Sequence, residues 1–227
     1  MIYIVIDMIG IILAGLVSQY IKRFISQKQL RHILLIVNLC ILIVGIRGAI
    51  ETKNTMLMLA SCIVGAFIGV KLDLDERFQK LGSLFQSIQW LKNHFSVEGF
   101  ITVFMIQCVG SMAIVGPLNI GLQNDANIMI IKIILDIISS LIYGVVYGPS
   151  VALSGVFVFI YESLIYLCAG FLQPILAPDV IHEIGAIGSL LIVGMSLDLL
   201  GIIEMRIANY LLALLGPIIY YLVILFI

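Results

Sequence analysis

The sequence predicts an all-α fold in which about eight transmembrane helices form a polytopic bundle. Of the 227 residues, 62% are hydrophobic and only 11% are charged, whereas soluble domains carry about a quarter charged residues. A globular protein of this length has too much surface to hide so many Ile, Leu and Val side chains. Most of the surface must therefore face lipid, and the long apolar segments along the chain give the same indication.

Eight apolar segments are long enough, or nearly so, to cross a hydrocarbon core of about 30 Å, which takes about 20 helical residues. They lie near residues 2–20, 33–50, 56–71, 99–118, 127–147, 150–172, 184–203 and 206–227. The third segment is short and the fifth and sixth are almost continuous, so seven spans are the alternative. The first segment lacks a basic leader and a small-residue cleavage site, which favours a membrane span over a removable signal peptide.

The long polar stretch 72–98 is predicted to contain an amphipathic helix that lies in the membrane interface. Its apolar residues recur at helical spacing and are Leu81, Leu84, Phe85, Ile88, Leu91 and Phe95. Lys80, Lys92 and the only tryptophan, Trp90, are typical of a helix at this depth.

Most Lys and Arg residues fall on one side of the predicted bundle. Nine lie there, namely Lys22, Arg23, Lys28, Arg31, Lys71, Arg77, Lys80, Lys92 and Arg206, against Arg47, Lys53 and Lys132 on the other side. Because cytoplasmic loops are rich in these residues, both termini are predicted to be external and the interfacial helix cytoplasmic. The loop before the seventh span, which carries Asp179 and Glu183, fits an external position.

Two parts of the sequence resemble each other. The segment Asp7–Leu16 aligns with Glu162–Phe171, and Leu42–Gly45 aligns with Leu191–Gly194. Spans one to three thus resemble spans six to eight, and an offset of five spans gives the triplets opposite directions. Inverted repeats are typical of secondary transporters, whose site lies near the midplane; the alternative is that Leu-rich, Gly-dotted helices align by composition alone. The single membrane domain 1–227 then divides into repeat A (1–71), the interfacial segment (72–98), two central spans (99–147) and repeat B (150–227).

Ionisable residues inside the predicted spans point to function, because a charge near the bilayer centre costs at least about 2.5–3.5 kcal/mol. Lys132 and Asp136 are four residues apart and share one helical face, so they form either a neutral ion pair or part of a functional site. Asp136 and Glu162 lie deepest and are the predicted ion- or proton-binding groups. Asp7 and Asp198 lie near span ends, where water can solvate them.

A second candidate region is the polar stretch 107–123 in the fourth span. Its predicted solute- or ion-binding residues are Gln107, Gly110, Ser111, Gly116 and Asn119. Pro117 and Gly121 are predicted to break the helix near its external end, because proline removes a backbone hydrogen bond and glycine loosens the helix. The freed carbonyl groups could coordinate Na⁺, and a helix N-terminus could hold a carboxylate.

Several classes of function find no support in the sequence. The net charge of −1 does not indicate a nucleic-acid partner. The four cysteines and three histidines are scattered, which does not indicate a metal site or a redox motif. No HExxH, GxSxG or phosphate-binding loop is present, so neither an enzyme nor an ATP-driven pump is expected.

Several motifs resemble one family over nearly the whole chain. The most similar stretch runs from Glu98-Gly99-Phe100 to Gly116, followed by Lys132 with Asp136, and by 199–202 with Arg206 and Asn209. The chain thereby resembles the YdfK/YqgA family of bacterial membrane proteins of unknown function. Asp7 and Asp198 stand where that family commonly has Asn, and Glu162 where a Gln-Gly pair is usual. The resemblance implies a multi-spanning protein of the bacterial inner membrane and supplies no substrate.

The function these observations favour is a secondary transporter or permease for a small polar or ionic solute, coupled to either protons or Na⁺, with no other cofactor. One alternative is an ion channel. Another is a membrane scaffold or assembly partner whose docking surface is the helix 77–95. Because eight short helices with exposed glycine faces pack poorly alone, a homodimer is also expected.

Overall fold

The computed structural model describes residues 1–77, 80, 96–109, 112–173 and 175–226. Within these residues every regular element is a helix. Seven helices are long and apolar enough to cross a membrane, and an eighth crossing results if one bent pair is counted as a span. The prediction of an all-α membrane protein is confirmed. Most of the predicted interfacial helix, 78–79 and 81–95, lies outside the described residues.

The helices follow the predicted apolar segments, with boundaries that differ by up to six residues, at the starts of the second and seventh spans. In chain order they are α1 (Ile2–Lys22), α2 (Gln27–Ile50), α3 (Thr55–Leu72), α4 (Val97–Val109), α5 (Met112–Gln123), α6 (Asn127–Tyr147), α7 (Ser150–Leu167), α8 (Ala169–Leu172) and α9 (Pro178–Leu199). A 3₁₀ helix, Ile207–Leu215, then continues directly into α10 (Gly216–Phe226). Its nine residues are unusual, since 3₁₀ helices rarely exceed three or four residues.

The chain forms two compact units, and each combines helices that are far apart in the sequence. The first unit contains α1, α4, α5, α6 and α7, and the second contains most of α2 with α3, α9, the 3₁₀ helix and α10. This grouping differs from the predicted order of repeat A, central spans and repeat B along the chain. The aligned spans one and six both lie in the first unit. The aligned spans two and seven, and three and eight, lie in the second unit.

In the first unit α1 packs against both α6 and α7. A Cβ added at Gly15 would lie 2.7 Å from the backbone nitrogen of Ala152, and one added at Gly155 would lie 3.0 Å from the carbonyl oxygen of Met8. Small residues thus allow the backbones of α1 and α7 to approach closely. As the residue numbers rise along α1 they fall along α7, so the two helices are antiparallel.

The second unit contains two more antiparallel pairs. The 3₁₀ helix packs on α3, where a Cβ at Gly65 would overlap Ala213 and a Cβ at Gly69 would overlap the carbonyl oxygen of Asn209. Similarly, α2 packs on α9, where a Cβ at Gly45 would lie 2.9 Å from Cγ2 of Val193. Spans two and seven, and spans three and eight, are therefore neighbours within this unit.

The short connection between α2 and α3 is held by one turn of α9. The buried carboxylate of Glu183 accepts hydrogen bonds from the Thr52 hydroxyl (2.6 Å) and from the Lys53 backbone N–H (2.8 Å). The Lys53 ammonium lies 2.8 Å from Asp179, and this hydrogen bond raises the pKa of Lys53 above its ordinary value. Glu183 was predicted to lie in the loop before the seventh span; it is instead fully buried inside α9, where this connection supplies its hydrogen-bond donors.

Replacing Glu183 with alanine is expected to reduce stability by about 1–3 kcal/mol, because it removes the charged acceptor of two partly buried hydrogen bonds in the α2–α3 connection. The melting temperature of the detergent-purified protein measures this loss. Asp179→Ala is the matched control, since its ion pair with Lys53 is exposed and solvent screening leaves such pairs with little effect on stability. Equal melting temperatures for the two variants would contradict the role given to Glu183.

Candidate functional site

A lysine in the first unit is surrounded by three carboxylates from three helices. The Nζ atom of Lys132 on α6 lies 3.2 Å from Oδ2 of Asp7 on α1 and 2.8 Å from Oε1 of Glu162 on α7. It also forms a short ion pair with Oδ2 of Asp136, one turn further along α6. Lys132 and Asp136 are at most 5% exposed, and Asp7 and Glu162 are fully buried. We call these four residues the Lys132 cluster.

Helix packing explains why these side chains meet. Lys132 and Asp136 share a face of α6 because they are four residues apart. On α1, Asp7 lies between Ile4 and Ile11 on the buried face, since residues three and four apart line one side of a helix. Because α1 packs on both α6 and α7, its buried face carries Asp7 to Lys132.

Apolar residues enclose the Lys132 cluster on both sides along α1. One turn before Asp7, Ile4 packs with Ile120, Met129 and Ile133. One turn after Asp7, Ile11 packs with Cys108 and Val158 in a second apolar cluster. These layers separate the charged groups from both ends of the unit, so the interactions within the Lys132 cluster are strengthened by a low dielectric environment.

The formal charge of the Lys132 cluster is not balanced. One ammonium and three ionised carboxylates give +1 − 3 = −2, counted from the four residues themselves. Oδ1 of Asp7 and Oε2 of Glu162 are buried and have no hydrogen-bond partner among the described residues. Oε1 of Glu162 is close to Nζ as an ion pair, but its approach lacks hydrogen-bond geometry. Because unpaired buried charges are costly, the cluster is chemically suited to take up a proton or a cation.

A neutral polar network adjoins the Lys132 cluster. The amide nitrogen of Gln107 on α4 donates to the hydroxyl of Ser140 (2.8 Å) and lies 3.4 Å from the carbonyl oxygen of Asp136. Its amide oxygen accepts from the hydroxyl of Ser154 on α7 (3.3 Å). Gln107, Ser140 and Ser154 are all buried. Gln107, which was predicted to bind the solute, thus connects α4, α6 and α7 beside the Lys132 cluster.

Neither Ser140 nor Ser154 was predicted to belong to the site. Ser140 could have been found, because it continues the spacing of four residues that runs from Lys132 through Asp136 along one face of α6. Ser154 carried no comparable signal, since its proximity to Gln107 depends on how α4 and α7 pack.

The fourth crossing is broken, but earlier than predicted. Gly99–Cys108 and Met112–Gln123 meet at an angle of 53°. Pro117 and Gly121, the predicted helix breakers, both lie inside α5. A proline removes only one backbone hydrogen bond, and the packed neighbours of a membrane helix compensate for such losses. Gly110 and Ser111, which were predicted to bind the solute, lie outside the described residues.

The other candidate residues have local roles. Gly116 packs on α6, where an added Cβ would lie 3.2 Å from Sδ of Met129. The carbonyl oxygen of Asn119 accepts from the backbone N–H of Asp125 (3.4 Å) in the turn after α5. Asp198, in the second unit, accepts from the backbone N–H of Met205 (3.1 Å). Within the described ranges, no hydrogen bond or ion pair joins these residues to the Lys132 cluster.

Comparison with known proteins confirms the resemblance found in the sequence. Residues 2–222 match the model of a family described as "Protein of unknown function (DUF554)". The chain is 30% identical over 167 residues to "Uncharacterized membrane protein YdfK" of Bacillus subtilis, which covers 74% of this chain and 70% of that protein. It is 23% identical over 211 residues to "Uncharacterized protein YqgA" of Escherichia coli, covering 91% and 90%. No solved structure matches the chain.

Proposed function

Because the chain belongs to the DUF554 family, a group of proteins of unknown function, we propose a function from its own buried site. The protein is a secondary transporter or permease that moves a small polar or ionic solute across the bacterial inner membrane, coupled to protons or Na⁺. Its two termini are external.

The observation that carries this proposal is the Lys132 cluster itself. Ionisable groups inside membrane spans are costly, and they typically mark pathways for ions, protons or substrates. A structural ion pair would need only one carboxylate for each lysine, whereas this lysine has three. The excess of two negative charges gives the site an affinity for a mobile positive ion, which a coupled transporter requires.

The helix pairing gives independent support. The aligned spans one and six, two and seven, and three and eight each pack as antiparallel neighbours. Asp7 and Glu162, which occupy equivalent positions in the aligned segments, both contact Lys132. These are the relationships expected of an inverted repeat, an architecture found in many secondary transporters.

The proposal predicts that Asp136→Asn abolishes uptake by the protein in reconstituted liposomes. A thermal-stability screen of ions and small polar solutes first identifies the transported compound, because a ligand at about 100 times its Kd stabilises by about 2.7 kcal/mol. Asp136→Asn should then lose both the stabilisation and the uptake. Uptake that rises linearly with concentration, without saturation, would instead indicate a channel.

Asp179→Asn is the control for this experiment, because Asp179 is exposed and pairs only with Lys53 among the partners described for it. It should keep wild-type uptake. Wild-type uptake by Asp136→Asn as well would remove the Lys132 cluster from the transport mechanism.

A further inference from the structure

We propose that the coupling ion is the proton and that Glu162 is the residue that carries it. This inference rests on the proposed function, because it assumes that the Lys132 cluster is the transport site. It goes beyond that function by choosing one ion and one of the three carboxylates.

The geometry of Lys132 argues against a metal ion in the same place. An ammonium group has three N–H donors, and Nζ of Lys132 faces one oxygen from each of three carboxylates. The position at which the three acids converge is therefore already filled by a tethered cation. Among the described residues, no group of three or more His, Cys, Asp or Glu side chains could hold a metal ion. A proton needs no such cavity, since it binds to a single oxygen.

The three carboxylates differ in how well their charges are stabilised. Asp136 accepts a short hydrogen bond from Lys132 on its own helix, and Asp7 accepts one of 3.2 Å. Oε1 of the fully buried Glu162 lies 2.8 Å from Nζ of Lys132 as an ion pair, but neither carboxylate oxygen of Glu162 accepts a hydrogen bond from a described residue. Because hydrogen bonds to the charged form favour ionisation and burial opposes it, Glu162 is the acid whose charged form is least stabilised. A proton on Glu162 changes the formal charge of the cluster from −2 to −1.

The groups around Glu162 are consistent with reversible protonation. It faces Lys132 and Asp136 from α6 and Asp7 from α1, and Cys108 of α4 is the titratable group on that helix within electrostatic range. On α5 there is no titratable residue. When the O–H bond breaks, the proton leaves, the electron pair stays on the carboxylate, and the nearby ammonium of Lys132 compensates the new charge.

Glu183 provides an internal comparison. It is buried as completely as Glu162 and also lies inside a helix that is long and apolar enough to cross a membrane, α9. Its two oxygens, however, accept hydrogen bonds from Thr52 and from the Lys53 backbone. The same side chain at the same burial thus accepts hydrogen bonds on both oxygens at 183, whereas at 162 the carboxylate has only the ion pair with Lys132 among the described contacts.

Infrared difference spectroscopy of the full-length protein in lipid tests this inference without a substrate. The spectrum of the wild type at neutral pH should contain the C=O stretching band of a buried protonated carboxylic acid. The band should shift when H₂O is exchanged for D₂O, and subtraction of a variant's spectrum shows whether the band is lost. The band should disappear in Glu162→Gln and remain in Glu183→Gln. Labelling all glutamates with carbon-13 should shift the band of the unmutated protein, which separates Glu162 from Asp7 and Asp136 even if a variant misfolds.

Three results would overturn the proton assignment. They are the absence of the band in the wild type, a band that is insensitive to glutamate labelling, or a band that NaCl removes at constant pH. If uptake were still abolished by Asp136→Asn, the proposed transport function would stand while Glu162 lost its role. If the band behaved as expected but no solute were transported, the proton site would stand and the transporter assignment would fail.

Discussion

Replacing Lys132 with methionine is expected to lower the free energy of unfolding by about 3–5 kcal/mol at neutral pH, because it leaves buried carboxylates without their counter-charge. Methionine fills most of the volume of the lysine stem, so lost packing contributes little. The carboxylates of Asp7 and Asp136 would then repel each other in an enclosed, apolar part of the first unit. The melting temperature of the purified protein measures the loss.

The pH dependence and a second substitution identify the cause of this loss. Carboxylates are charged above their pKa and neutral below it, so Lys132→Met should be most unstable at high pH and recover as the pH falls. The added change Asp136→Leu should restore part of the stability, because residues in one ion-pair network are not additive. A Lys132→Met variant that is as stable as the wild type at every pH would show that the lysine does not balance these acids.

Replacing Gly69 with alanine is expected to destabilise the second unit by about 1–3 kcal/mol or more, the usual range for overpacking a core. The new Cβ would overlap the backbone carbonyl oxygen of Asn209, and a backbone atom cannot rotate away as a side chain can. Asn209 is also fixed from its other end, since its side-chain oxygen accepts from the backbone N–H of Asp75 (2.9 Å). The 3₁₀ helix would therefore have to move away from α3.

Gly170→Ala is the matched control for Gly69→Ala. Both glycines lie in helices, but a Cβ added at Gly170 has nothing within 4 Å. Alanine favours helix by about 1 kcal/mol over glycine, so Gly170→Ala should leave the melting temperature unchanged or slightly raised. If Gly69→Ala behaved in the same way, the close approach of α3 and the 3₁₀ helix would not contribute to stability.

The site was predictable only where its residues are close together in the sequence. The pairing of Lys132 with Asp136 follows from a spacing of four residues on one helix, and it could be predicted from sequence. The approach of Asp7 could not, because it depends on α1 packing against helices more than 100 residues later. Asp7 was predicted to lie near water, because it is close to the end of the first predicted span, whereas the structure buries it completely.

The fold shows the same limit. Apolar length predicted the crossings well, because the bilayer thickness imposes it on every span. The position of the break in the fourth crossing was not predicted. The break lies between α4 and α5, whereas the predicted breakers Pro117 and Gly121 both lie inside α5. The 3₁₀ helix was not predicted either, since Ile207–Leu215 contains neither glycine nor proline. The segment packs closely on α3, and contacts of this kind between distant parts of the chain cannot be read from local sequence.

The 3₁₀ helix also determines how far the last crossing reaches. Ile207–Ile224 has 18 residues, and an α-helix of that length would extend about 27 Å, less than a hydrocarbon core of about 30 Å. A 3₁₀ helix rises about 2.0 Å per residue, so with nine such residues the crossing extends about 31 Å. Conversion of that segment to α-helix would shorten the crossing by about 4–5 Å and create a hydrophobic mismatch. The conformation of this end of the chain is therefore coupled to the thickness of the membrane around it.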